Sequence, residues 1–392
     1  MLWNRRIGVS LLYLQMVMAV VASEASPRCI MYLTGQHNII PKDSQLTRSI
    51  THVILAFMRS DVFNSDLLDH YPLFASVEEV RQSFPPATKV MVAIGGWGDS
   101  LGFEEAARDT TSRTRWAESV KHMVDITGAD GVDIDWEYPG GNRDDYRLIP
   151  NEKREWEVDA FQLLLEALRN ALGRHKILSI AVPGLERDLM AFTSATVPRI
   201  VEQVDFINIM TYDLINRRDT TIHHHSGIAD SRASIQRYID RGMPKEKANL
   251  GLGYYVKWVM TEKCDKDDVL GCRTQLLEDP ETGSDLGRIA AFSWHDTVPE
   301  GLGDSFSRAL LNGHYFQDGS YGYWDQQEQR WWTFDTEAVI EQKIKDLVGS
   351  MQLGGVFAWG LGEDATDFRR LAATIRAVRG LSISENQDKD EL

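Results

Sequence analysis

The chain has 392 residues, 43% of them hydrophobic, and a formal net charge of −16. That length can bury one core of α/β-barrel size or two ordinary domains. The acidic balance, with no block of Lys and Arg, argues against nucleic acid as a partner and leaves a neutral ligand unpenalised.

In chain order, the first element reads as a leader. Arg5 and Arg6 precede an apolar run over 7–21, and the small residues Ala22, Ser23 and Ala25 follow. Positive, then apolar, then small is the layout of a secretory signal peptide over residues 1–22, with cleavage after Ala25 as the alternative. The run is short for a bilayer span, which takes about 20 residues. An uncleaved anchor helix is the competing reading, and no membrane span is expected in the mature protein.

Eight short apolar runs follow, at 29–33, 52–57, 90–94, 131–136, 177–182, 206–210, 250–254 and 355–359. Their Val, Ile and aromatic content predicts parallel strands buried on both faces. Helical spacing fills the intervals. Trp116, Val120, Met123, Val124 and Thr127 form a stripe that Gly128 closes, and Phe161, Leu164, Leu165, Leu168 and Leu172 form another before Gly173. Ile340, Ile344, Leu347 and Val348, and later Phe368, Leu371, Ile375 and Val378, repeat the pattern. Such stripes face a core.

Eight strand–helix units predict an α/β fold, as a closed (β/α)₈ TIM barrel or a large doubly wound sheet, and periodicity alone does not choose. The interval of about 256–334 breaks the rhythm and carries Trp294, Trp324, Trp331 and Trp332, which predicts a small α+β subdomain inserted before the last strand. The body then spans 27–380, and residues 381–392 read as a flexible polar tail. That tail ends Lys389-Asp390-Glu391-Leu392, the address bound by a KDEL-type retrieval receptor, and with the leader it predicts the endoplasmic reticulum lumen. In that oxidising compartment Cys264 and Cys272 are expected to close a local disulfide, leaving Cys29 unpaired.

The most informative stretch is Asp130-Gly131-Val132-Asp133-Ile134-Asp135-Trp136-Glu137-Tyr138-Pro139. Alternate residues of a strand share a face, so Asp133, Asp135 and Glu137 line one side and Val132, Ile134 and Trp136 the other. In a barrel the acidic side faces the axis. Stacked carboxylates lose hydration and repel, so they share protons and at least one pKa rises. A carboxyl that stays protonated near neutral pH is what a general acid needs, and Glu137 is nearest the C-terminal mouth where barrel sites form. A divalent metal site is the alternative for such carboxylates, but no second acidic group with ligand spacing accompanies them.

Asp130, Asp133, Asp135 and Glu137 match the DxxDxDxE signature of glycoside hydrolase family 18, the chitinases and their relatives. Ala93-Ile94-Gly95-Gly96-Trp97 resembles the family's third-strand SxGG element, with Ala in place of Ser, and Met210-Thr211-Tyr212-Asp213 resembles its MxYD element. Phe57 and Trp359 end the second and eighth strands as the family's pocket aromatics do. The resemblance runs from about Cys29 to Gly380, and its local wording is most similar to fungal members of the secretory pathway.

The resemblance implies retaining hydrolysis assisted by the substrate, an exception to the two-carboxylate scheme. Glu137 is implied as acid and base, Asp135 as partner of the substrate acetamido N–H, Asp133 as the charge partner behind it, and Tyr212 as the group positioning the acetamido oxygen. Trp359, Asp213, Met210, Phe57, Trp97 and Tyr138 are the implied substrate contacts. No metal or organic cofactor is implied, and a monomer is expected. The implied ligand is chitin or another N-acetylglucosamine-containing glycan. Hydrolysis of the chitobiose core of N-glycans is the alternative within this chemistry, and a non-catalytic lectin the alternative outside it. Lectin relatives lose the acid, whereas Glu137 and both aspartates are intact here. Two departures stand out: Leu33-Thr34-Gly35-Gln36 follows Tyr32 where many relatives place a sugar-stacking Trp, and His223, His224 and His225 are too close in sequence to converge readily on one metal and read as structural or solvated.

Overall fold

The computed structural model describes residues 26–266 and 268–390, with side chains as far as Leu381. The predicted leader and the last two residues of the retrieval sequence lie outside them. Seven strands come first: β1 (Arg28–Thr34), β2 (His52–Met58), β3 (Lys89–Gly95), β4 (Gly131–Asp135), β5 (Ile177–Pro183), β6 (Phe206–Met210) and β7 (Ala248–Gly253). Five short strands follow as β8 (Tyr255–Met260), β9 (Ile289–Ser293), β10 (His314–Tyr315), β11 (Tyr321–Asp325) and β12 (Arg330–Thr333). The chain then returns as β13 (Gly355–Trp359). Strands β1 to β7 and β13 pair in parallel and close in the order β1-β13-β7-β6-β5-β4-β3-β2. The closed (β/α)₈ barrel is therefore the architecture, and the doubly wound sheet is excluded.

Closure sorts the residues of each strand. Val132 and Ile134 point outward and pack with Val120, Val124, Leu164 and Leu168 of the surrounding helices, each large aliphatic side chain so buried contributing roughly 1.5–3 kcal/mol. The inward faces bring together Ile30, Ile54, Met91, Phe206 and Phe357 with the small residues Ala56, Ala93 and Ala181. Space left by those alanines admits polar side chains along the axis. Arg28 Nε donates to Asn249 Oδ1 (2.9 Å), Asn249 Nδ2 to Asn208 Oδ1 (2.8 Å), and Asn208 Nδ2 to the Tyr32 hydroxyl (2.9 Å).

The helix Thr110–Thr127 starts where the Asp109 side chain accepts from the Ser112 N–H, and ends at Gly128 in the left-handed region (φ 72°), as its stripe predicts. Most strand boundaries shift by a residue or two from the sequence pattern, and three differences are instructive. Trp136 leaves the β4 ladder because its ring is buried outside the barrel, stacked on Phe103 at 5.2 Å and edge-on to Phe161 at 5.9 Å. Tyr254 lies beyond β7, its hydroxyl bonded to that of Thr374 (2.7 Å). The final helix Arg369–Asp390 continues past Gly380, where a flexible tail is expected. No Pro interrupts that segment, and Glu, Gln and Lys are good helix formers.

The insertion forms an antiparallel sheet in the order β10-β11-β12-β8-β9, with the helix Gly303–Asn312 beside it. Successive tryptophans of β12 serve opposite faces, as strand alternation requires: Trp331 packs with Val259 and Leu277, and Trp332 with Phe292 and Phe306. Cys264 and Cys272 are bridged, with Cα atoms 5.7 Å apart. Cys29 is a buried free thiol, pushed up to about 12 first of all by burial. His224 packs edge-on to Phe316 at 4.8 Å and to Trp331 at 5.4 Å, and burial lowers its pKa to about 4, which fits the structural reading of the histidine run.

Candidate active site

Strand β4 sets the site. Its parallel register puts Asp133 between Ala93 of β3 and Ser179 of β5. Ala93 offers no hydroxyl, and the donor comes from the other neighbour: Ser179 Oγ bonds Asp133 Oδ1 (2.5 Å), while the Tyr32 hydroxyl donates to Asp133 Oδ2 (2.8 Å). Asp133 is fully buried under this cover. Asp135 stands one pleat higher, 4% exposed, and its buried Oδ1 finds no protein donor among the described residues. Glu137 lies just beyond the end of the strand, at the C-terminal mouth.

A cavity of about 630 Å³ opens there. Asp135, Glu137, Tyr138, Met210, Tyr212, Asp213, Phe57, Trp97 and Trp359 all line it; Asp133 lies beneath, and Asp130 of the signature instead binds the Val90 N–H and Arg81 before the strand begins. Phe57 and Trp359 stack at 5.4 Å and 21°. Trp97 sits on the rim, 53% exposed, with its ring 6.4 Å from that of Tyr138. Close approach explains the glycine pair before it. A Cβ on Gly96 would lie 2.6 Å from the Phe57 ring, and the Gly96 N–H donates to the Asp135 carbonyl (2.8 Å), which ties β3 to the acidic strand. Non-proline cis peptide bonds occur at Ala56–Phe57, Glu137–Tyr138 and Trp359–Gly360, all at this mouth.

The electrostatics follow from burial. Asp133 rises to about 6 because burial outweighs the hydrogen bonds from Ser179 and Tyr32. Asp135 is driven well above the carboxylate range by burial, and then by the charges of Glu137 and Asp133. Glu137 rises to about 7, mainly through burial, with the Tyr138 hydrogen bond opposing and Asp213 and Asp188 adding to the rise. Near neutral pH the Asp135–Glu137 pair therefore retains a proton, and its two titrations belong to the pair. Burial likewise pushes the Tyr212 hydroxyl well up, so it stays a donor.

Asp213 behaves differently. Surrounding protein pushes its pKa up, but Lys257, His225 and the Tyr255 hydroxyl outweigh that and hold it below the ordinary range. Lys257 Nζ donates to Asp213 Oδ1 at 2.6 Å, the lysine nearly buried and the carboxylate half open to the cavity. Sequence reasoning missed both Tyr255 and Lys257. Their spacing of two on β8 was the available signal, since it puts both on one face of a strand leaving the barrel mouth. Lys257→Met is expected to release the Asp213 pKa upward. A titration of the Asp213 carboxyl followed by NMR should then show it taking up its proton at higher pH.

Among the described residues, no three His, Cys, Asp or Glu side chains are grouped so as to hold a metal ion. A closed parallel barrel with protonatable carboxylates at its C-terminal mouth is the layout of a barrel enzyme working by acid–base chemistry. The chain belongs to the glycosyl hydrolases family 18, whose family model matches residues 28–364. It is 26% identical over 355 residues to Probable chitinase 10 of Drosophila melanogaster, covering 86% of this chain and 15% of that protein. It is 27% identical over 291 residues to Chitinase 1 of Aphanocladium album, covering 69% and 60%. It thus spans less than two thirds of either relative's length. Among solved structures, a chitinase from Rhizomucor miehei shares the fold with a TM-score of 0.70 at 18% identity, over 89% of this chain and 99% of that one.

Proposed function

We propose that this protein hydrolyses β-1,4-linked N-acetylglucosamine chains with retention, the substrate's own acetamido group acting as nucleophile. The observation that carries this reading is the ascending column Asp133, Asp135, Glu137, whose upper pair holds a proton inside a cavity floored by Trp359. Glu137 gives that proton to the glycosidic oxygen as the bond from the anomeric carbon breaks. The acetamido carbonyl oxygen bonds the anomeric carbon, forming an oxazolinium ion. Asp135 accepts from the acetamido N–H with its unpartnered oxygen and opposes the new positive charge. Tyr212 donates to the acetamido oxygen, and Trp359 offers an apolar face to the sugar. Water then attacks the anomeric carbon, Glu137 takes its proton, and the ring bond to the acetamido oxygen opens. Curated relatives named as chitinases support this choice of substrate, and the intact acid counts against a lectin.

The test is incubation of the purified protein with N-acetylglucosamine oligomers and, separately, with a high-mannose glycopeptide, with products weighed by mass. Shortened oligomers with retained anomeric configuration are expected. A glycan released from the glycopeptide, leaving one sugar on Asn, would replace the chitin reading with the N-glycan one.

A further inference from the structure

We propose that the pair His37–Asp296 walls off the cleft beyond Trp359, so that the enzyme takes chains by their non-reducing end and removes one or two sugars at a time. This rests on the proposed hydrolysis, in which the sugar that keeps the anomeric carbon lies over Trp359; the proposal adds that the leaving chain runs out over the exposed rim at Trp97, beside Tyr138.

Next to Trp359, around Gly360 and Glu363, three segments meet. They are the loop after β1, the loop after β9 and the loop after β13. His37 Nε2 bonds Asp296 Oδ1 at 2.8 Å, and His37 Nδ1 lies 3.4 Å from Glu363 Oε1. Glu363 accepts from the Thr34 hydroxyl (2.8 Å), its carbonyl accepts the His295 N–H (3.0 Å), and the His37 and His295 rings lie edge to face at 5.6 Å. The junction has no slack. A Cβ on Gly362 would lie 1.8 Å from the His37 carbonyl oxygen, and one on Gly360, next to Trp359, 2.5 Å from Glu363 Oε2. Both His37 and Asp296 line the cavity that holds Glu137, so the bridge from barrel to insertion crosses the cavity's own edge. A groove for a continuous chain needs an opening there.

Glu363 lies 3.4 Å from His37 Nδ1 and close enough to Gly360, the residue after Trp359, that a Cβ there would meet its Oε2. The proposed wall therefore stands close to the Trp359 floor and suits removal of one or two sugars. A branched mannose arm carried by the sugar over Trp359 would meet the same wall, so N-glycan cores are excluded along with internal sites of long chains.

The experiment uses a hexamer of N-acetylglucosamine labelled at its reducing end, with initial products weighed at low conversion. The full-length protein should release unlabelled mono- or disaccharide and leave labelled penta- or tetrasaccharide. In H37A, and independently in D296A, the share of internal first cuts should rise about tenfold. Asp296 is partly exposed, 43% by side chain, so its loss opens the wall without disturbing the core. Initial cuts spread along the hexamer by the unmodified protein, or an unchanged pattern in both variants, would overturn the wall and leave the hydrolase reading standing. No release from any oligomer would overturn both.

Discussion

Glu137→Gln is expected to lose about a thousandfold in kcat while binding N-acetylglucosamine oligomers nearly as well as the parent protein. The amide keeps the shape of the carboxyl but cannot give up a proton to a leaving oxygen. Turnover should be read with a reducing-end assay and binding by calorimetry, and full turnover in the variant would remove Glu137 from the mechanism. In the parent protein kcat/KM should fall as pH rises through about 7, the value to which burial first of all lifts Glu137. Stability should move with it. The folded protein holds this proton up to about 7, whereas the unfolded chain releases it near 4.5, the ordinary glutamate value. Below the lower value both states are protonated and nothing is lost; between the two, the stability tied to this proton drains away as pH rises. Gln mimics the protonated form, so E137Q should be more stable than the parent at pH 8 by about 1–3 kcal/mol, less than the full shift because Glu137 faces the cleft. That advantage should vanish below pH about 4 in urea titrations.

Asp135→Asn is expected to lower kcat by about 10²–10³ with a small change in KM. Asn still offers an oxygen to the acetamido N–H but no longer opposes the positive charge that forms at the anomeric carbon. The second signature is electrostatic. Asp135 and Glu137 hold each other's pKa values up, so neutralising one lets the other fall. The basic limb of the pH–rate profile should therefore move to lower pH in D135N, which a general loss of packing would not produce. Circular dichroism guards the conclusion: an unfolded variant would assign Asp135 a structural role instead.

Much of this site was legible because it lies within one strand. Asp133, Asp135 and Glu137 obey a period of two over a few residues, Phe57 and Trp359 each end an apolar run, and Tyr212 and Asp213 follow just after another. Closure was not legible, because it depends on Arg28 meeting Gly355 across almost the whole chain. The partners of the acidic column escaped for the same reason. Ser179 is an ordinary strand residue until the β4–β5 register puts its hydroxyl against Asp133. Lys257 looks like a surface lysine until β8 carries it over the barrel mouth to Asp213. The wall at His37 joins three loops, none of which carries a pattern by itself.

The column beneath the carboxylates has one more consequence. From Arg28 through Asn249 and Asn208, every donor points toward Asp133, and the two middle links are amides, which bind and release no proton at ordinary pH. The middle of that floor is thus polar yet does not titrate: it orients the acidic stack without taking up or releasing hydrogen ions itself. Exchange of those ions is therefore expected at the open mouth. When a sugar fills that mouth, the stack is a sealed account holding a fixed number of hydrogens until the leaving chain departs and solvent returns.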